Sequence, residues 1–178
     1  MNVHIRPLTP EDVAAFRAFR IAALHESPLS FGASAVGEEQ YDAAKWRERL
    51  SAERGTVFGA FAPAGEMIGS VGLFITNDGT DADGPWLWTM YVQPPHRRHG
   101  VGRRLVQHVI DHLRATTLHS RLRLHVTDAS AAAGAMYRAL GFVPIERQID
   151  VPWHTGDVVD MDVMAYSLRE EPREITTA

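Results

Sequence analysis

Residues 86–113 read WLWTMYVQPPHRRHGVGRRLVQHVIDHL. Trp86 to Val92 is rich in aromatic and apolar residues and has the length of a strand. Pro94 and Pro95 cannot donate to a ladder, so the strand must stop there. From about Gly100 the apolar residues Val101, Leu105, Val109 and Leu113 recur at helical spacing, predicting a helix over 100 to about 115. Arg97-Arg98-His99-Gly100-Val101-Gly102 falls at that helix's first turn. Glycines there let backbone N–H groups approach a ligand closely. Those amides lack intrahelical partners and sit at the positive end of the helix dipole, and flanking arginines add charge-assisted contacts. The pattern predicts a phosphate or pyrophosphate cradle. Glycines present only for packing, beside a solvated arginine face, are the plainer alternative. The stretch is not a P-loop, lacking Gly-Lys-Ser/Thr, nor a dinucleotide fingerprint, lacking the third glycine.

Working outward, VHIRPLT (3–9) alternates like a half-buried strand. Thr9-Pro10-Glu11-Asp12 starts a helix expected to reach His25. Residues 26–40 read as a loop, and a second helix is expected over 39–52. Strands are expected at 56–62 and 67–76, and NDGTDADGP (77–85) is a polar hairpin loop. RLRLHV (121–126) alternates as a strand, SAAAGAMYRALGF (130–142) reads as a helix closed by Gly141, and strands follow at 143–149 and 158–168. These elements make one α+β domain over 1–168, with 169–178 expected as a flexible tail.

The chain has 178 residues, net charge −4 and no cysteine. That excludes disulfides, thiolate metal sites and an acyl-enzyme thioester. A mildly acidic chain lacks the basic face of a general nucleic-acid binder, so contact through Arg97, Arg98, Arg103 and Arg104 is disfavoured. Neither a signal peptide nor a membrane span is apparent, and a cytoplasmic protein with no membrane partner is expected.

YVQPPHRRHGVGRRL resembles the acetyl-CoA signature of the GNAT superfamily of N-acetyltransferases, with Val92, Pro94, Arg97, Gly100 and Gly102 in its defining positions. A second element of that family, a helix with Ala and Tyr before Gly-Phe, is matched by Ala133, Tyr137, Gly141 and Phe142. The family's asparagine position holds Ser130, which can cap a helix equally well. The resemblance implies an α+β, three-layer fold: a mixed, mostly antiparallel sheet of about seven strands, helices on both faces, splayed between the fourth and fifth strands. It implies acetyl-CoA as co-substrate, without a metal. Its pantetheine arm would lie along the backbone of Met90, Tyr91 and Val92. Its pyrophosphate would lie on the amides of Arg98, His99, Gly100, Val101, Gly102 and Arg103, with Ser130, Ala133 and Tyr137 nearby.

The implied chemistry is direct attack of a neutral amine on the thioester. By its family position, Tyr137 is the acid for the departing thiolate; an aromatic on the core face of its helix is the alternative. The family often places an acid early in the strand before the signature, but here that stretch is Trp86-Leu87-Trp88. The base therefore stays open among Glu38, Glu39, His125, Asp128 and a water chain. Phe31, Trp86 and Trp88 are candidates for the acceptor site, and strict alternation places Trp86 and Trp88 on one sheet face and Tyr91 on the other. Phe31 with Glu38 and Glu39, beside the acidic loop 77–84, favours a cationic acceptor. His108, Asp111 and His112 superficially resemble an inverted zincin motif but are expected to be surface residues. The expected acceptor is a small-molecule primary amine; a protein or peptide acceptor and a non-catalytic acyl-CoA-binding module are the alternatives, and homodimerisation stays open.

Overall fold

The computed structural model describes residues 2–51, 55–74 and 84–169. Seven strands are described, β1 (His4–Pro7), β2 (Val57–Phe61), β3 (Met67–Phe74), β4 (Trp86–Val92), β5 (Arg121–Thr127), β6 (Val143–Pro152) and β7 (Val158–Ser167). They form one sheet in the order β1-β2-β3-β4-β5-β7-β6. All neighbours are antiparallel except β4 and β5. Those two run parallel and share one register pair, Trp86 with Arg123, after which they part. The described helices are α1 (Val13–Glu26), α2 (Ala35–Glu39), α3 (Ala43–Arg49), α4 (Val101–Thr116) and α5 (Ala131–Leu140).

Helices cover both faces. Val101, Leu105, Val109 and Leu113 of α4 are buried against Phe58, Ile68, Leu87 and Leu124 on one face. Phe16, Phe19 and Leu24 of α1 and Trp46 of α3 are buried against Val57, Met67 and Tyr91 on the other. This three-layer arrangement has the expected class and strand number, with the gap between the fourth and fifth strands.

Several local expectations change. The helix expected over 39–52 is the shorter α3, started by Asp42, which accepts from the Lys45 amide at 2.7 Å, and the expected loop 26–40 contains α2, started by Ser34, which accepts from the Gly37 amide at 3.0 Å. The first helix opens with a 3-10 turn, Pro10–Asp12, whose Asp12 accepts from the Thr9 amide at 2.9 Å and from both terminal nitrogens of Arg6. β6 runs three residues past its expected end, with a register shift beside Asp150 at φ 53°. Loop 77–83 and tail 170–178 lie outside the described residues.

The expected alternation along β4 fails. Ser70 pairs with Tyr91 and Gly72 with Trp88, so two residues of β4 oppose one of β3. The extra residue lies at the bulge of Thr89, whose φ is 49°. A bulge advances the side-chain phase by one residue. Trp88 and Tyr91 therefore both join the α1–α3 face, while Leu87, Met90 and Val92 join the α4 face.

Candidate active site

The loop from β4 to α4 carries the cradle. Gly100 precedes the helix at φ 76°, and a Cβ there would meet nothing within 4 Å, so conformation and not space selects glycine. At Gly102 space selects it: a Cβ would come within 2.9 Å of Met90 Cε and 3.2 Å of Met136 Sδ. Arg104 donates its amide to the Gly100 carbonyl at 3.1 Å, closing the first turn. The amides of Val101, Gly102 and Arg103 precede it and have no helical acceptor. The Arg97 side chain is engaged elsewhere: Nε donates to the Val92 carbonyl at 2.8 Å, and Nη1 and Nη2 donate to Glu26 at 3.1 and 2.8 Å. Arg97 thus ties the loop to β4 and α1. Arg98 and Arg103 make no side-chain hydrogen bond among the described residues, which leaves them the cationic side chains nearest the cradle for an anion.

The cradle opens onto a cavity of about 490 Å³ in the gap between β4 and β5. Met90, Tyr91, Val92, Arg97, Arg98, Gly100, Val101, Gly102, Arg103, Ser130 and Ala133 line it; His99 and Tyr137 do not. Sequence reasoning missed Ser27 and Ser30 from the segment after α1, Met136 of α5, and His96, which also line it. His96 Nδ1 is buried with no hydrogen-bond partner among the described residues. An orphaned polar atom, exposed helix amides and a glycine cradle together suit a phosphorylated, elongated ligand.

The wall formed by residues 27–31 is strapped down from three directions. Ser130 Oγ donates to Ser30 Oγ at 2.7 Å instead of capping α5, contrary to its expected role. Thr127 donates to the Leu29 carbonyl at 2.8 Å, and Trp153 and His154, in the β6–β7 turn, donate to the Pro28 and Phe31 carbonyls, each at 2.9 Å. Tyr137 lies behind Ala133 and Met136, 4% exposed, with its ring 5.6 Å from that of Phe142. Burial pushes its phenol well above the ordinary value, so it stays protonated.

On the far side of the Thr89 bulge is a second cavity, also about 490 Å³, lined by Trp86, Leu87, Trp88, His125, Phe74 and three residues of α3, Lys45, Glu48 and Arg49. Residues 86–88 of β4 thus wall one cavity and 90–92 the other, with the bulge between them. Phe31 walls the first cavity, apart from the tryptophans with which it was grouped.

The four candidate bases are separated by their surroundings. Glu38 is 1% exposed and caged: Arg20 donates to both its oxygens at 3.1 and 3.0 Å, and Arg49 donates at 3.0 Å. Arg20 also donates to Thr89 Oγ1 at 3.4 Å, so the cage braces the bulge. Glu39 pairs on the surface with His25 at 2.7 Å. Asp128 pairs with Arg147 at 2.6 Å, and that guanidinium lowers its pKa. His125 alone lines the second cavity. Its ring stacks on Trp86 at 4.6 Å and 2°, and burial of the stacked ring is the main cause of a pKa below the ordinary histidine value. Neither acid faces the second cavity as the cationic-acceptor expectation required: Glu38 is caged by Arg20 and Arg49, Glu39 pairs with His25 on the surface, and Phe31 lies under Arg20, 4.8 Å from its guanidinium. His108 and His112 pack edge-on to Phe58 at 4.9 and 5.2 Å, and no group placed to hold a metal occurs among the described residues.

Comparison with known proteins bears on this architecture. The profile of the Acetyltransferase (GNAT) family matches residues 21–142. The [ribosomal protein bS18]-alanine N-acetyltransferase of Escherichia coli (strain K12) is 41% identical over 56 residues, covering 32% of this chain and 37% of that protein's length. Among solved structures, an N-acetyltransferase from Staphylococcus aureus Mu50 superposes with a TM-score of 0.80 at 16% identity, over 95% of this chain and 100% of that one. A putative acetyltransferase from Salmonella typhimurium, solved with its cofactor acetyl-CoA, superposes with a TM-score of 0.77 at 21% identity, over 99% of this chain and all of that one. A sheet parted between β4 and β5, a glycine cradle at the start of α4 and a family match across both lead to one conclusion: the chain belongs to the GNAT family of acetyltransferases, enzymes that take acetyl-CoA as co-substrate.

Proposed function

We propose that the protein transfers the acetyl group of acetyl-CoA directly to a primary amine of a small molecule, within a ternary complex. The observation that carries this reading is the pair of cavities flanking the Thr89 bulge, one fitted to a phosphorylated ligand and the other lined by a histidine and aromatic rings. Bound acetyl-CoA supplies an activated thioester carbonyl. The amides of Arg98 to Arg103, with the Arg98 and Arg103 side chains, hold its pyrophosphate, and the backbone of Met90 to Val92 holds its arm. A free alkyl amine is protonated near neutral pH, with a pKa of about 10.4, so a proton must leave it before attack. His125, neutral at pH 7, accepts that proton. The C–N bond forms as the C–S bond breaks, and the nitrogen releases its second proton to solvent through the cavity. Its family position assigns the proton for the departing thiolate to Tyr137, which burial behind Ala133 and Met136 keeps protonated and which regains its proton from solvent. With no cysteine in the chain, no thioester on the enzyme is needed or available.

A peptide or protein acceptor is the second reading, favoured by the segment shared with the ribosomal-protein alanine acetyltransferase. A mixture of small amines and N-terminal peptides, incubated with acetyl-CoA and resolved by mass spectrometry, tests the choice. Acetylated small amines are expected, in amounts matching the free thiol released; acetylation confined to peptides overturns the small-molecule reading. A cytoplasmic location is part of the same reading, supported by a reaction that draws on acetyl-CoA; among the described residues no helix is long and apolar enough to cross a membrane.

A further inference from the structure

The second cavity carries more information than a place for an amine. Its aromatic walls look suited to a cation, but both tryptophans already carry one. Trp86 is covered by the Arg123 guanidinium at 4.3 Å and by the His125 ring at 4.6 Å. Trp88 has Arg49 at 5.1 Å and Arg20 at 5.9 Å from its ring centroid. The charges tell the same story. Among the described residues, Arg20, Arg49 and Lys45 face Glu38 and Glu48, three cations against two anions, and Glu38 is shared between two arginines. Arg49 spends Nη1 on Glu38 and makes no other side-chain hydrogen bond among the described residues, so Nε and Nη2 remain as donors. The Lys45 ammonium bonds Glu48 at 2.8 Å on the rim, with two further protons to give. A guanidinium held by a buried carboxylate and stacked between rings is pre-positioned for planar, two-pronged recognition of an oxyanion.

Resting on the acetyl-transfer reading, we propose that the acceptor is an amino acid or a close relative: a primary amine that also bears a carboxylate, held by Arg49 with Lys45 at the rim. The carboxylate completes the charge balance of the cavity, and the amine end lies toward His125 and the Thr89 bulge. A simple polyamine leaves the Arg49 donors unmatched and adds a cation beside described side chains that already carry more positive than negative charge.

Matched pairs of amines, each a carboxylated compound and its decarboxylated counterpart, test this by thiol release and, separately, by quenching of tryptophan fluorescence from Trp86 and Trp88. In the wild type the carboxylated member is expected to be favoured roughly 10- to 100-fold in kcat/KM, the size of a charge-assisted hydrogen bond to a guanidinium. In Arg49→Gln that ratio collapses toward one, and Arg49→Lys restores part of it. Should Arg49→Gln fold poorly, Lys45→Gln, on an exposed site, lowers the same ratio by a smaller factor. Equal use of both members by the wild type, or a ratio that Arg49→Gln leaves intact, overturns the proposal. If no amine is turned over, the acetyl-transfer reading fails, and saturable quenching by the carboxylated members alone, lost in Arg49→Gln, still supports the anion site, whereas its absence overturns it.

Discussion

At the scale of single residues, the site is defined by which titratable groups keep an unspent valence. Glu38, Glu39, Asp128 and His125 read alike in the sequence as polar residues near an expected cleft. Their partners are distant in the chain, Arg20 and Arg147 among them, and no local pattern announces those pairings. Folding leaves His125 facing a cavity with its pKa below the ordinary value of 6.5. A base with a lowered pKa stays active as the pH falls to that lowered value and is lost below it. The acid limb of kcat/KM is therefore expected below pH 6.5, and His125→Gln should remove the limb along with most activity, as a pH–rate profile will show. Tyr137 was legible through its place before Gly141-Phe142, and the alternative of an aromatic on the core face of its helix matches its burial. Tyr137→Phe deletes one hydroxyl and keeps the packing on Phe142. A fall in kcat of roughly 10²- to 10⁴-fold, the usual worth of a general acid, with an unchanged melting temperature is expected from steady-state kinetics and calorimetry.

At the scale of elements, the strand-to-helix passage from β4 to α4 was the most readable part of the chain, because prolines, glycines and helical periodicity are all local signals. The two glycines nevertheless serve differently. Gly100→Ala meets no atom but must hold a left-handed backbone, a cost of roughly 1–2 kcal/mol, so thermal melting should detect it. Gly102→Ala presses on the flexible tips of Met90 and Met136, both on the cavity wall. Its signature is weaker acetyl-CoA binding by calorimetry with little change in melting temperature. The bulge at Thr89 was illegible, since an added residue in a strand leaves no mark on composition, and it reversed the assignment of Tyr91 to a face. The break between α2 and α3 was legible in principle: Ser34 and Asp42 stand where helix caps belong.

At the scale of the whole molecule, the mixed seven-stranded sheet and its gap between the fourth and fifth strands followed from a resemblance carried by two short motifs, not from periodicity, which sees strands but not their neighbours; the strand order and the single parallel junction came only with the structure. What periodicity could not show is how far-apart segments brace the gap. Arg20 of α1, Glu38 of α2 and Arg49 of α3 form one buried ion cluster against Thr89 of β4. Glu38→Ala leaves two arginines facing each other in the core. Breaking such a pair costs about 3–5 kcal/mol, which for a domain of this size lowers the melting temperature by roughly 10 °C, measurable by differential scanning calorimetry. The central claim is that acetyl-CoA and acceptor meet at the Thr89 bulge from opposite cavities. A crystal structure with CoA and a carboxylated amine bound tests it most directly. The pyrophosphate is expected on the amides of Arg98 to Arg103, the sulfur beside Thr89 and the carboxylate on Arg49. A pantetheine arm outside the gap between β4 and β5, or an acceptor bound away from Trp86, Trp88 and His125, would contradict it.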